Sequence, residues 1–327
     1  MKHLKKASVL ALCLCIAVSM LAFGACSKTE NSGTDSGKIK VVCTIFPEYD
    51  WVKQILGINA ENAEITFLLE SGVDLHNYQP TADDLIKIAD CDLFIYAGGL
   101  SDNWVDDTLA QSKKENRQVI DMLETIGDSA KEEEIVEGMQ AEEEEEGEIE
   151  YDEHTWLSLK NAKVVCEKIA VSLGEIDPDN KQLYLDNYSY YAAELDALDS
   201  EYKETVDSAK NKVILFGDRF PFRYLADDYG LTYYAAFVGC SAETEASFET
   251  ISFLAKKVDE LSLGYVLTIE KSDNKIAQTI IDNTSSKNQK ILALNSMQST
   301  TLDEANSGAT YLSIMKDNLE VLKTALN

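Results

Sequence analysis

The chain has 327 residues, and its 58 aspartates and glutamates against 29 lysines and arginines give a formal net charge of −29 at neutral pH. A surface that acidic repels nucleic acid and excludes it as a natural partner. Beyond its N-terminal segment the chain keeps roughly 290 residues, enough to build two lobes with cores of their own.

Lys2, Lys5 and Lys6 precede an apolar run from Val9 to Phe23, which is too short for a comfortable membrane span and ends in the small-residue stretch LAFGAC. Residues 1–25 therefore read as a secretory signal. Its loss would take three lysines away and move the charge from −29 to −32. Cys26 directly after Gly-Ala resembles the lipidation site of a bacterial lipoprotein, which predicts a lipid anchor on the outer face of the cell membrane. Residues 26–38, polar and rich in Ser and Gly, read as a flexible tether.

From Lys40 short β-branched runs alternate with amphipathic stretches. KVVCTIF, AEITFLL, DLFIYAG and QVIDM read as strands, with helices over YDWVKQIL, TADDLIKIA and a stretch from about Trp104. Residues 39–131 thus form an N-terminal α/β lobe with a parallel sheet. The alternation stops at residues 132–153, which hold thirteen carboxylates and read as a solvated surface loop that collects cations loosely. Residues 154–176 return to the first lobe. In residues 177–211 Tyr184, Tyr188, Tyr191, Leu195, Leu198 and Tyr202 recur at spacings of three and four, the stripe of a single helix. Over Lys181–Ala209 it would be about 44 Å long. Residues 212–327 repeat the first pattern, with strands KVILF, TYYAAF, YVLTIE and KILAL. The fold class is α/β: two (β/α)4 lobes with parallel sheets, joined by a long rigid helix.

Ligands of parallel α/β sheets bind at the carboxyl ends of strands. The polar residues there are His76 in the first lobe and Asp218, Glu270 and Asn295 in the second, while His154 leads out of the acidic run. Two imidazoles with carboxylates from the other lobe would form a shell for a divalent transition metal. Cys43, Cys91, Cys166 and Cys240 have no zinc-finger or disulfide spacing, and most of them read as small core residues. Nothing marks an enzyme: there is no HExxH helix, phosphate-binding glycine loop or Ser-His-Asp ordering.

CTIFPEYDWVKQILG, GVDLHNYQP, DEHTWLSLKNA, DRFPFRYLADDYGL and GCSAETEAS carry a specific likeness. From Lys40 to its C-terminus the chain resembles the metal-binding lipoproteins, or solute-binding proteins, of zinc and manganese ABC importers, the zinc class above all. The resemblance implies metal held between two lobes, no catalysis, and delivery by a monomer to a membrane permease driven by a separate ATPase. It assigns His76 and His154 as metal ligands. The family's third ligand is commonly a histidine after the first strand of the second lobe, where this chain offers Asp218 beside Arg219. The fourth is usually a carboxylate, and NSMQS puts Asn295, Met297 and Gln298 there, leaving Glu270 as the best carboxylate. Glu243, Glu245 and the Cys240 thiolate are further candidate donors. The expected cargo is Zn²⁺, with Mn²⁺ second because two carboxylates would harden the site. A competing reading keeps the fold with a degraded site, as an adhesin or cation-buffering surface lipoprotein that works through the acidic loop.

Overall fold

The computed structural model describes residues 37–112, 114–140, 150–241 and 245–327. The signal segment, Cys26, Glu243 and the middle of the acidic run lie outside them. Residues Ile39–Asn327 form one compact unit.

The first sheet contains β1 (Ile39–Cys43), β2 (Ala63–Phe67), β3 (Leu93–Tyr96) and β4 (Gln118–Asp121), ordered β2-β1-β3-β4 and parallel throughout. Val41, Val42 and Cys43 are buried, as a strand covered on both faces requires. The crossover helix Phe46–Leu56 begins with Pro47 and with Glu48, whose buried carboxylate accepts the Thr44 amide at 2.7 Å. Helices Ala82–Asp90 and Trp104–Gln111 complete the lobe. A five-residue helix at Met122–Ile126, absent from the sequence reading, starts where Asp121 accepts the Glu124 amide.

The second sheet repeats the order as β6-β5-β7-β8, again parallel, with β5 (Val213–Phe220), β6 (Thr232–Val238), β7 (Tyr265–Ile269) and β8 (Lys290–Leu294). The register of β5 shifts between Phe216 and Arg219. At Gly217 within that shift a Cβ would stand 2.4 Å from the Ala277 Cα, so the missing side chain lets helix Lys275–Asp282 settle on the strand.

The linking helix is continuous over Lys181–Ser208, 28 residues, or about 42 Å. It packs on helices Phe46–Leu56, Leu159–Ile176 and Tyr311–Ala325. Of its apolar stripe only Tyr188 stays half-buried. The Tyr202 hydroxyl donates to the Met315 carbonyl at 2.6 Å and its ring stacks on Tyr229. One hydrophobic core runs through both lobes: Trp51 meets Tyr311 edge-on, and the Tyr311 hydroxyl donates to the Trp156 carbonyl.

The described flanks of the acidic run keep Glu132, Glu134, Glu137 and Glu150 exposed to solvent, but their backbone is tied down at several points. Glu132 pairs with Tyr151 in an antiparallel bridge, and the Asp152 amide donates to the Lys131 carbonyl. The Gln140 amide donates to Ala236 of β6, and Glu134 pairs with Arg223. The Gln140–Ala236 backbone bond and the Glu134–Arg223 ion pair tie these flanks to the second lobe, contacts that the sequence pattern does not encode.

Candidate metal centre

His76 lies in a short turn after β2, and His154 just before the turn Thr155–Leu157 that leads into helix Leu159–Ile176. Both sit in an Asp-x-His step. Asp74 accepts the His76 amide at 3.1 Å, and Asp152 accepts the His154 amide at 2.8 Å. Each aspartate thereby fixes the turn that aims its imidazole. Asp152 also faces His154 Nδ1 at 2.9 Å. A carboxylate accepts, so that nitrogen is the donor and Nε2 is the ring atom left to face a metal.

The two Nε2 atoms stand 3.2 Å apart. Two nitrogens bound tetrahedrally to zinc at about 2.05 Å would stand roughly 3.3 Å apart, so the pair is spaced for one ion. His154 is fully buried, and the ring of His76 is nearly so. Burial, and then the neighbouring His154, push His76 down to about 3, which keeps it neutral and able to coordinate at ordinary pH. Its Nδ1 bonds Ser101 Oγ at 2.8 Å, with Glu153 Oε2 at 3.7 Å.

The second lobe supplies the other wall. Gln298, after β8, brings its amide nitrogen to 3.2 Å from His76 Nε2 and into contact with His154 Nε2. Arg219 at the end of β5 donates to Gln298 Oε1 at 3.0 Å and pairs with Asp74 across the cleft. Despite its burial, Asp74 is held below the usual carboxylate range by Arg219 and then His76. A third atom able to bind a metal comes from the loop after β6: the Cys240 sulfur and one nitrogen of each histidine lie within 4.8 Å of one another.

Comparison with known proteins identifies the family. The profile of the family described as "ZnuA: Zinc-uptake complex component A periplasmic" matches residues 41–325. The chain belongs to the zinc-uptake component A family. Membership makes it a solute-binding protein and not an enzyme. It is 30% identical over 320 residues to the high-affinity zinc uptake system protein ZnuA of Bacillus subtilis, covering 95% of this chain and 96% of that one. It is 33% identical over 324 residues to the zinc-binding lipoprotein AdcA of Streptococcus pneumoniae, covering 98% of this chain and 61% of AdcA, so it spans about three fifths of that relative. Among solved structures, the Zn(II)-bound ZnuA-like domain of that AdcA aligns at 29% identity with a TM-score of 0.69, covering 89% of this chain and 99% of the domain. The metal-dependent lipoprotein YcdH of B. subtilis aligns at 28% and 0.71, covering 88% and 99%. The expected fold of two parallel-sheet lobes with a long helix is the fold of these relatives.

Within this family frame, the structure brings His76 and His154 together and leaves the two expected carboxylates out of the group. Both oxygens of Glu270 are engaged: Oε2 accepts the Ser296 amide at 2.7 Å, and Oε1 accepts the Ser296 and Ser299 hydroxyls. Asp218 Oδ1 accepts the Arg219 amide, while Oδ2 is buried without a hydrogen bond. Neither is in the described donor cluster, because Glu270 is spent on shaping the turn after β8 and Asp218 stands in the shifted register of β5. Glu245 is exposed, and Asn295 caps the Met297 amide. The sequence reading missed Asp74, Asp152, Ser101 and Glu153 as supports of the imidazoles. A signal for two of them was present, since Asp-x-His occurs at both histidines.

Proposed function

We propose that this chain captures Zn²⁺ between its lobes through His76 and His154 and hands the ion to the permease of an ABC importer powered by a separate ATPase. The observation that carries the reading is the 3.2 Å separation of two buried Nε2 atoms, the spacing of neighbouring ligands on one tetrahedral ion. The zinc named in the relatives' descriptions supports the choice of cargo over Mn²⁺. The lipoproteins among them support lipidation at Cys26 and a place on the outer face of the membrane. The acidic run raises the local cation concentration by Coulomb attraction without holding the ion.

Calorimetric titration of the purified protein with zinc tests this. One tight site per chain is expected, lost in a His76→Ala/His154→Ala double variant and retained when residues 141–149 are deleted. Weak binding at several sites that vanishes with the deletion and ignores the histidines would favour a surface cation buffer and overturn the reading.

A further inference from the structure

We propose that Cys240 is the third protein ligand of this centre, bound as the thiolate, and that it sets the preference for zinc over manganese. The inference rests on the reading of His76 and His154 as the zinc-holding pair and assigns what completes them.

Cys240 is the only further Cys, His, Asp or Glu that the described residues place in one cluster with both imidazoles. Its approach is built into the chain. A Cβ on the preceding Gly239 would stand 3.0 Å from His154 Cε1 and 3.1 Å from Nδ1, so glycine lets the loop after β6 come down on the ring. Glu133 accepts the Cys240 amide at 3.1 Å, and Arg219 reaches the next residue's carbonyl, Ser241, at 3.4 Å. The strapped flank of the acidic run therefore helps to hold the sulfur in place. The other described cysteines, Cys43, Cys91 and Cys166, are buried in the core.

Donor chemistry decides the rest. Two imidazoles and a thiolate form a tetrahedral zinc set with one position left open. Manganese asks for several hard oxygens, and Glu270 spends its oxygens on Ser296 and Ser299. On binding, the S–H bond breaks and a sulfur–metal bond forms, with the proton released to the buffer.

Cobalt(II) titration of the purified reduced protein reads the ligand directly. The wild type should show a near-ultraviolet thiolate-to-cobalt charge-transfer band together with tetrahedral visible bands. Cys240→Ser should lose the first and keep the second. Competition between zinc and manganese should show zinc affinity falling by about 100-fold or more in Cys240→Ser, since even supporting partners of metal ligands are worth about 10–100-fold. Manganese affinity should stay within about threefold, and Cys240→Asp should narrow the zinc preference further. Wild-type visible bands without the charge-transfer band, or unchanged zinc affinity in a Cys240→Ser variant that unfolds at the wild-type temperature, would overturn the role of Cys240 and leave the histidine pair standing. No cobalt or zinc binding by the wild type would overturn both.

Discussion

At the scale of single residues the centre depends on groups that aim the imidazoles as much as on the imidazoles themselves. Asp152 holds His154 by its backbone amide and its Nδ1 together. Asp152→Asn keeps an acceptor for the amide but removes the charge that fixes the ring's proton, so zinc affinity measured by competition with a chelating dye should drop about 10-fold or more. An unchanged affinity would mean that His154 is oriented by packing alone. Asp102 carries a different burden. It is buried, accepts the Gly98 amide at 3.0 Å through Oδ2, and leaves Oδ1 unpaired. Burial, then Glu153 and Asp121, push it up to about 7. With the folded value above the unfolded one near 4, its contribution to stability is complete below about pH 4 and is lost as pH rises through 7. Asp102→Asn should therefore gain on the wild type by about 2–3 kcal/mol between pH 5 and pH 8 in urea unfolding. A pH-independent difference would contradict this.

At the scale of elements, the order β2-β1-β3-β4 and its copy β6-β5-β7-β8 bring loops from both sheets to one cleft. The strands were legible because each is a short, largely apolar run between polar stretches, and the linking helix because its apolar stripe recurs over many turns. Short helices such as Met122–Ile126 were not, since five residues carry too little periodicity. His76 and His154 could be found from their loops and their likeness to a known family. Gln298, Arg219 and Cys240 could not be ranked, because their roles arise only when the ends of β5, β6 and β8 fold onto the first lobe. Glu270 shows the same limit: its place after a strand reads as a ligand position, and only the fold shows its oxygens accepting from Ser296. Close helix–strand contact gives a test at this scale. Gly217→Ala would press a methyl against the Ala277 backbone and should cost about 1–3 kcal/mol, seen as a lower urea midpoint. No loss would mean that helix Lys275–Asp282 shifts freely.

At the scale of the whole molecule, a helix of 28 residues and a core shared by both lobes join the two walls of the centre. Trp156 lies in the turn that follows His154, yet its indole donates to the Ser296 carbonyl of the second lobe. Arg219 and Asp74 close the cleft from the opposite side. Lobes tied this way suit an ion, which needs ångström-scale adjustment of a few side chains, better than a large solute that needs a wide hinge. The acidic run belongs to this scale as well, since it is anchored at both ends and its flank reaches the loop of Cys240.

The most direct test of the account is X-ray absorption at the zinc edge on the protein loaded with one equivalent of zinc. Two imidazole rings with nitrogens near 2.0 Å and one sulfur near 2.3 Å are the expected shell. A shell of oxygens without imidazole scattering would place the ion among the carboxylates and contradict the account.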